Sequence, residues 1–198
     1  MNRRSIALIT SLCLPSLVLS HNIFAKGNSK TDDRPNIIMI MTDQHTADAL
    51  SCAGNPYVTT PGIDMLAADG IRFTRSYVTY PLSGPSRASL ITGKMPHQLG
   101  VKDNGIGDLS EYELKNSIGN LMSDAGYECL YAGKWHAPLV INLPEKGTGF
   151  TKVCDMDDRI LVDKSIPYLE KKHDKPIFYV ASFLNPHETC EFARDEAL

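Results

Sequence analysis

Five side chains of this 198-residue sequence belong to types that activate or cleave a charged ester: Ser83, Arg87, Lys134, His136 and His187. Two more, Asp43 and Gln44, are hard oxygen donors. Ser83 stands in "PLSGPSRASLITG" (Pro81 to Gly93), two residues before Pro85 and four before Arg87. Pro85 fixes its own φ and steers Gly84 away from helix. A helix is therefore expected to begin near Ser86 or Arg87, with its free N–H groups turned toward Ser83. A helix start favours an anion, and the Arg87 fork suits a tetrahedral oxyanion. A nucleophile placed there points to attack on sulfate or phosphate. The plain alternative is a serine in a Pro/Gly turn.

Asp43 and Gln44, in "MTDQ", suit Ca²⁺ or Mg²⁺ rather than zinc; as a pair they also read as a strand-end cap. Lys134 and His136 flank Trp135 in "GKWH". Alternate residues of a strand share a face, so both can point into one cleft. The other reading puts Lys134 on the surface and packs His136 against Trp135. His187, in "NPHE", is either part of that cleft or a loop histidine. His45, His97 and His173 read as structural.

The elements that must position these residues alternate. "NIIMIMT" (Asn36 to Thr42) is apolar without alternation, as a strand buried on both faces requires. "TPGIDMLAADG" has Thr60 as N-cap, Pro61 at the first helical position and Gly70 as terminator. "IRFTRSYV" (Ile71 to Val78) alternates like a strand. "SRASLITG" is a short helix ended by Gly93. "SIGNLMSDAGY" is an amphipathic helix, "ECLYAG" a strand, "SIPYLEKKHD" the close of a third helix and "KPIFYVASFLN" a buried strand. The order predicts an α/β fold with a largely parallel sheet flanked by helices. "MTDQ", "GKWH" and "NPHE" each follow a strand. Sites in open α/β sheets form outside the carboxyl ends of the strands, so the three segments are placed to converge.

The net charge of -3, with 22% charged and 42% hydrophobic residues, gives a real core and no sign of nucleic-acid binding. The N-terminus has Arg3 and Arg4, then an apolar stretch from Ile6 to Leu19 broken by Pro15. That pattern predicts a signal peptide over residues 1–25 and export to a periplasm or the outside. An uncleaved anchor is the alternative, although the stretch is short for a span. Residues 26–34 read as a linker. Cys52, Cys129, Cys154 and Cys190 lack metal-knuckle spacing and read as buried or free thiols.

With these residues in view, "SGPSRASLITG" resembles the signature of the type I sulfatases, C/S-x-P-S-R-x-x-x-L-T-G, with Ile91 at the usual Leu. "NIIMIMTDQ" resembles that family's first metal-binding strand, "GKWH" its second signature and "NPHE" a further sulfate-contacting segment. The resemblance runs in order from Pro35 to Arg194 and implies the alkaline phosphatase-like α/β fold. It implies that Ser83 is oxidised to Cα-formylglycine (3-oxoalanine) by a maturation enzyme, of the anaerobic radical type where a serine stands. One hydroxyl of the hydrated aldehyde then attacks sulfur, and the second expels sulfate. It assigns Asp43, Gln44 and the group at position 83 to a divalent cation, Ca²⁺ or else Mg²⁺, with Gln44 where a second Asp is usual. It gives Arg87 and Lys134 to the nucleophile and the sulfate, His136 to the second hydroxyl and His187 to the leaving group. Sulfated glycans or aryl sulfates are the implied substrates.

The family places further metal ligands and a second sulfate-binding Lys downstream of the segments seen here. Residues 35–198 are thus expected to be the first part of a catalytic domain, inactive alone, with exposed apolar surface and an unpaired strand edge. A phosphatase or phosphonate monoester hydrolase, and a non-enzymatic degenerate fragment, are the competing readings. "VKDNG" (Val101 to Gly105) is either a substrate contact or simply a turn.

Overall fold

Strands that are apolar on both faces pair in parallel and take helices on each side, and the chain follows that rule. A computed structural model describes residues 32–104, 109–137 and 147–190. The expected signal peptide, most of the linker, Gly105 and the segment after Cys190 lie outside those residues. The elements are β1 (Ile37–Asp43), α1 (Pro61–Asp69), α2 (Ser83–Thr92), α3 (Glu111–Lys115), α4 (Ile118–Asp124), β2 (Glu128–Gly133), β3 (Thr151–Cys154), α5 (Asp158–Glu170) and β4 (Ile177–Pro186). The strands form one sheet in the order β1-β4-β2-β3, and every pairing is parallel.

The register decides which face each side chain takes. Tyr131 lies beside Val180 and Gly133 beside Ser182. Cys129, Tyr131, Phe178 and Val180 therefore share one face, where Ile91, Trp135 and Phe150 cover them. Leu130, Ala132, Ile177, Tyr179 and Ala181 share the other, under Leu161 of α5. Truncating a fully buried leucine such as Leu161 costs about 2–5 kcal/mol in cores of this kind.

Three expectations change. β1 was expected to be buried on both faces, but it is one of the two edge strands of this sheet as described. Met39 and Met41 pack on the core, whereas Ile38 and Ile40 are 50% and 59% exposed. Among the described residues, the expected exposed apolar surface and unpaired strand edge are therefore at β1. Residues 71–78 form no strand, and Ile71, Phe73 and Tyr77 are exposed. Alternation supplies a face but not the hydrogen-bonded neighbour that a strand needs. Finally, α2 begins at Ser83, with Leu82 as N-cap, three residues before the expected start. Proline is tolerated in a first turn, where its missing N–H has no intrahelical acceptor. The Asn104 side chain accepts from the Gly84 N–H at 2.8 Å, which satisfies one of the free donors.

Candidate active site

Four of the seven expected site residues meet at one carboxylate oxygen. β1 ends with a register shift between Met41 and Asp43, and Asp43 is buried beneath the start of α2. Its Oδ2 accepts from the Ser83 hydroxyl at 3.1 Å and from Arg87 Nη2 at 3.1 Å. It also pairs with Lys134 Nζ at 2.7 Å. Arg87 Nε donates to Ser83 Oγ at 3.1 Å. The Ser83 oxygen thus sits between a carboxylate and a guanidinium, one turn of helix from the latter. Burial works to raise the Asp43 carboxyl, but the Lys134 and Arg87 cations and the Ser83 hydroxyl outweigh it and hold it below the usual range.

Lys134 gets there by a sharp turn rather than along a strand. β2 ends at Gly133, whose φ is +87°. A Cβ there would stand 2.1 Å from the Ser182 carbonyl oxygen, so only glycine fits. The Lys134 N–H then donates to that carbonyl at 2.8 Å, and its side chain turns to Asp43. Residues 134–136 are therefore not strand, and the expected sharing of one face by Lys134 and His136 does not hold. His136 adopts a positive φ of 43°, and its buried Nδ1 has no partner. It remains within the same field: burial first, then the Lys134 and Arg87 cations, lower its pKa from 6.5, while Asp43 opposes and His187 assists.

The sign of that shift gives a test. Folded His136 takes up a proton less readily than an unfolded histidine, so its contribution to stability is present above pH 6.5 and is lost as pH falls through the folded value. His136→Gln is expected to lose less thermal stability than the parent between pH 7 and pH 5. Equal losses would remove His136 from the acid response.

Gln44 follows Asp43 in a left-handed conformation, φ 58°, and its Nε2 donates to Cys190 Sγ at 2.7 Å. His187 lies just beyond β4, with its buried Nδ1 unpartnered. The end of β4 is held by Asp158 of α5, which accepts from the Leu184 and Asn185 N–H groups at 2.8 Å each. A cleft of about 1040 Å³ opens above these residues, lined by Asp43, Gln44, Ser83, Arg87, Asn104 and His187 among others. Asn104 comes from the "VKDNG" segment, which the sequence offered only as a turn or a substrate contact. Asp158 gave no signal in the sequence, because an acidic residue in a first helical turn is ordinary.

A hard divalent cation needs six or more oxygens. Among the described residues no group of three or more His, Cys, Asp or Glu is placed to hold a metal ion, and Asp43 Oδ2 already serves two cations. The described donors do not make up such a site by themselves. Cys52, Cys129, Cys154 and Cys190 are free thiols in this structure.

Residues 35–196 match the family described as Sulfatase. An N-acetylglucosamine-6-O-sulfatase of Bacteroides thetaiotaomicron is 41% identical over 130 residues, which cover 64% of this chain and 22% of that protein. A solved 2-O GAG sulfatase superposes with a TM-score of 0.70 at 29% identity, covering 84% of this chain and 38% of that one. A protein solved in complex with its substrate D-glucosamine-2-N,6-O-disulfate gives a TM-score of 0.66 at 31% identity, covering 78% and 35%. The chain spans between 22% and 38% of the length of these relatives.

Proposed function

The chain belongs to the sulfatase family, and on that footing we propose that its cleft serves the hydrolysis of sulfuric esters carried on sugars. The observation that carries this reading is the Ser83 hydroxyl, set at the cleft wall between Asp43 Oδ2 and Arg87 Nε. The matched relatives act on, or are solved with, sulfated sugars, which supports the substrate class.

Asp43 orients the oxygen at position 83, and Arg87 and Lys134 place two fixed positive charges beside it. Asp43, Arg87 and Lys134 together carry a formal charge of +1 (one carboxylate against two cations), which favours a sulfate group entering the cleft. His136 is held neutral and so can accept a proton. His187 lines the cleft, and we assign it to contact sulfate and to protonate the leaving oxygen. We take Ser83 to be a precursor. Transfer of two electrons and two protons from it to the oxidising centre of a maturation enzyme converts it to formylglycine, which when present supplies a nucleophile with a built-in exit. A maturation enzyme that recognises the Ser83 segment is the implied partner. Asp43 and Gln44 would give a calcium or magnesium ion only part of its ligand shell. The signal-peptide pattern of residues 1–25 supports export to a periplasm or the outside.

The test is a panel of sulfated monosaccharides, an aryl sulfate, a phosphate monoester and a phosphonate monoester, assayed on the complete enzyme from its own host, because residues 35–198 alone are expected to be inactive. Sulfate release from one sugar sulfate, with kcat/KM at least about 100-fold above both phosphorus esters, is the expected result; that ratio is about 2.7 kcal/mol of transition-state discrimination. A preference for the phosphorus esters would move the assignment to a phosphatase or phosphonate monoester hydrolase.

A further inference from the structure

We propose that Tyr131 and Ser182 are positioning residues that lock the Arg87 guanidinium, so that one of its nitrogens serves the scaffold and the other two are aimed at Ser83 and Asp43. The role rests on the reading of the cleft given above, but the geometry stands by itself. Arg87 Nη1 points away from the cleft. It donates to the Lys134 carbonyl at 2.6 Å and to Ser182 Oγ at 2.8 Å, with Tyr131 Oη at 3.3 Å and the Trp135 carbonyl at 3.4 Å. The two short bonds use both hydrogens of that nitrogen.

The acceptors are themselves fixed. Tyr131 Oη donates to the Lys134 carbonyl at 2.7 Å. Its ring is clamped edge-on by Trp135, centroids 4.9 Å apart, and by Phe150 at 5.5 Å. Ser182 is fully buried, and its own carbonyl holds the Lys134 N–H. Burial pushes the Tyr131 phenol up, so the hydroxyl stays a donor and brings no second negative charge to compete with Asp43.

A guanidinium is planar, so fixing Nη1 fixes the whole fork. Nε then has one direction, toward Ser83 Oγ, and Nη2 one direction, toward Asp43 Oδ2. Without the anchor the same cation could rotate about its stem, and its charge would remain while its aim was lost. Aim is what a developing oxyanion requires, and small misplacements cost far more than they cost in ground-state binding. Both residues read as plain core in the sequence, a tyrosine and a small residue on neighbouring buried strands.

The experiment compares the parent with Tyr131→Phe, Ser182→Ala and the double variant. Phenylalanine keeps the ring contacts, and a thermal melt confirms that each variant folds. The first readout is the NMR order parameter of the Arg87 Nε–H bond. It is expected to be about 0.8 or higher in the parent and below about 0.6 in the double variant. The second is sulfate-ester turnover, with kcat expected to fall roughly 10- to 100-fold in the double variant and KM to change less than about 3-fold. In an Arg87→Lys background, adding Tyr131→Phe should change kcat by less than about 2-fold, because the group it aims is gone. An unchanged Arg87 order parameter overturns the lock, as does full kcat in a variant whose Arg87 has become mobile. If the parent releases no sulfate, the reading of the cleft fails. The order parameter and the affinity for inorganic sulfate, measured by calorimetry, then still decide whether Tyr131 and Ser182 hold Arg87.

Discussion

If the proposed function holds, Ser83→Ala is expected to abolish sulfate release by the complete enzyme, on the order of 10⁵-fold in kcat, equivalent to about 7 kcal/mol of lost transition-state stabilisation. Stability should change far less. The variant removes one hydroxyl that donates to Asp43 and accepts from Arg87, and a net hydrogen bond contributes about 1 kcal/mol. The helix start survives, because the Leu82 carbonyl still accepts from the Ser86 N–H and Asn104 still serves the Gly84 N–H. The large ratio between the two effects separates a nucleophile from a turn residue. The chemistry is read by mass spectrometry of the tryptic peptide 76–87 from protein made in its own host. Oxidation of the serine to the aldehyde removes about 2 Da and creates the covalent catalyst. A peptide lighter by that amount in active protein supports the formylglycine reading. An unmodified peptide in protein that hydrolyses sulfate esters would make Ser83 itself the attacking group. A Ser83→Ala variant that keeps its activity would remove position 83 from the chemistry altogether.

Much of this arrangement could be read before any coordinates. Apolar runs without alternation gave β1, β2 and β4, and the rule that sites form beyond parallel strand ends picked out "MTDQ" and "GKWH" as neighbours. Asp43, Ser83, Arg87 and Lys134 do meet there. Most of the failures share one cause, which is that they depend on what lies next to a segment rather than on the segment itself. Ile38 and Ile40 have the pattern of a doubly buried strand, but exposure is decided by neighbours, and β1 is an edge here. Residues 71–78 alternate, but no partner strand receives them. The true start of α2 depends on a side chain 20 residues away, at Asn104. β3 is four residues long, too short for a period to show. Tyr131 and Ser182 look like core because they are core; only the register that sets Gly133 beside Ser182 reveals that both reach Arg87.

Asp43→Asn should cost about 3–5 kcal/mol at neutral pH, the usual penalty for breaking a buried ion pair from one side. In a domain of this size that lowers Tm by about 10 °C. The reason lies in the counts around Oδ2. Lys134 has a side chain only 4% exposed, and Asp43 and Arg87 are each at 8%. Asparagine keeps the shape and a hydrogen-bond acceptor, so what is lost is charge, leaving two buried cations side by side. The pH dependence has a definite sign. The Asp43 carboxyl is held below its ordinary 3.8, so its contribution is present above pH 3.8 and is lost as pH falls through the folded value. Parent and variant should therefore differ most near neutrality and converge below pH 3.8. Adding Lys134→Met to Asp43→Asn removes the second buried cation and should recover a substantial part of the loss. Equal stability of Asp43→Asn and the parent at pH 7 would sink the buried-charge account. If the double variant is stable but inert, the three charges are kept for the anion they receive and not for the fold they burden. One carboxylate set against two cations is a poor way to build a core, yet it leaves one net positive charge beside the cleft, as the proposed sulfate substrate requires.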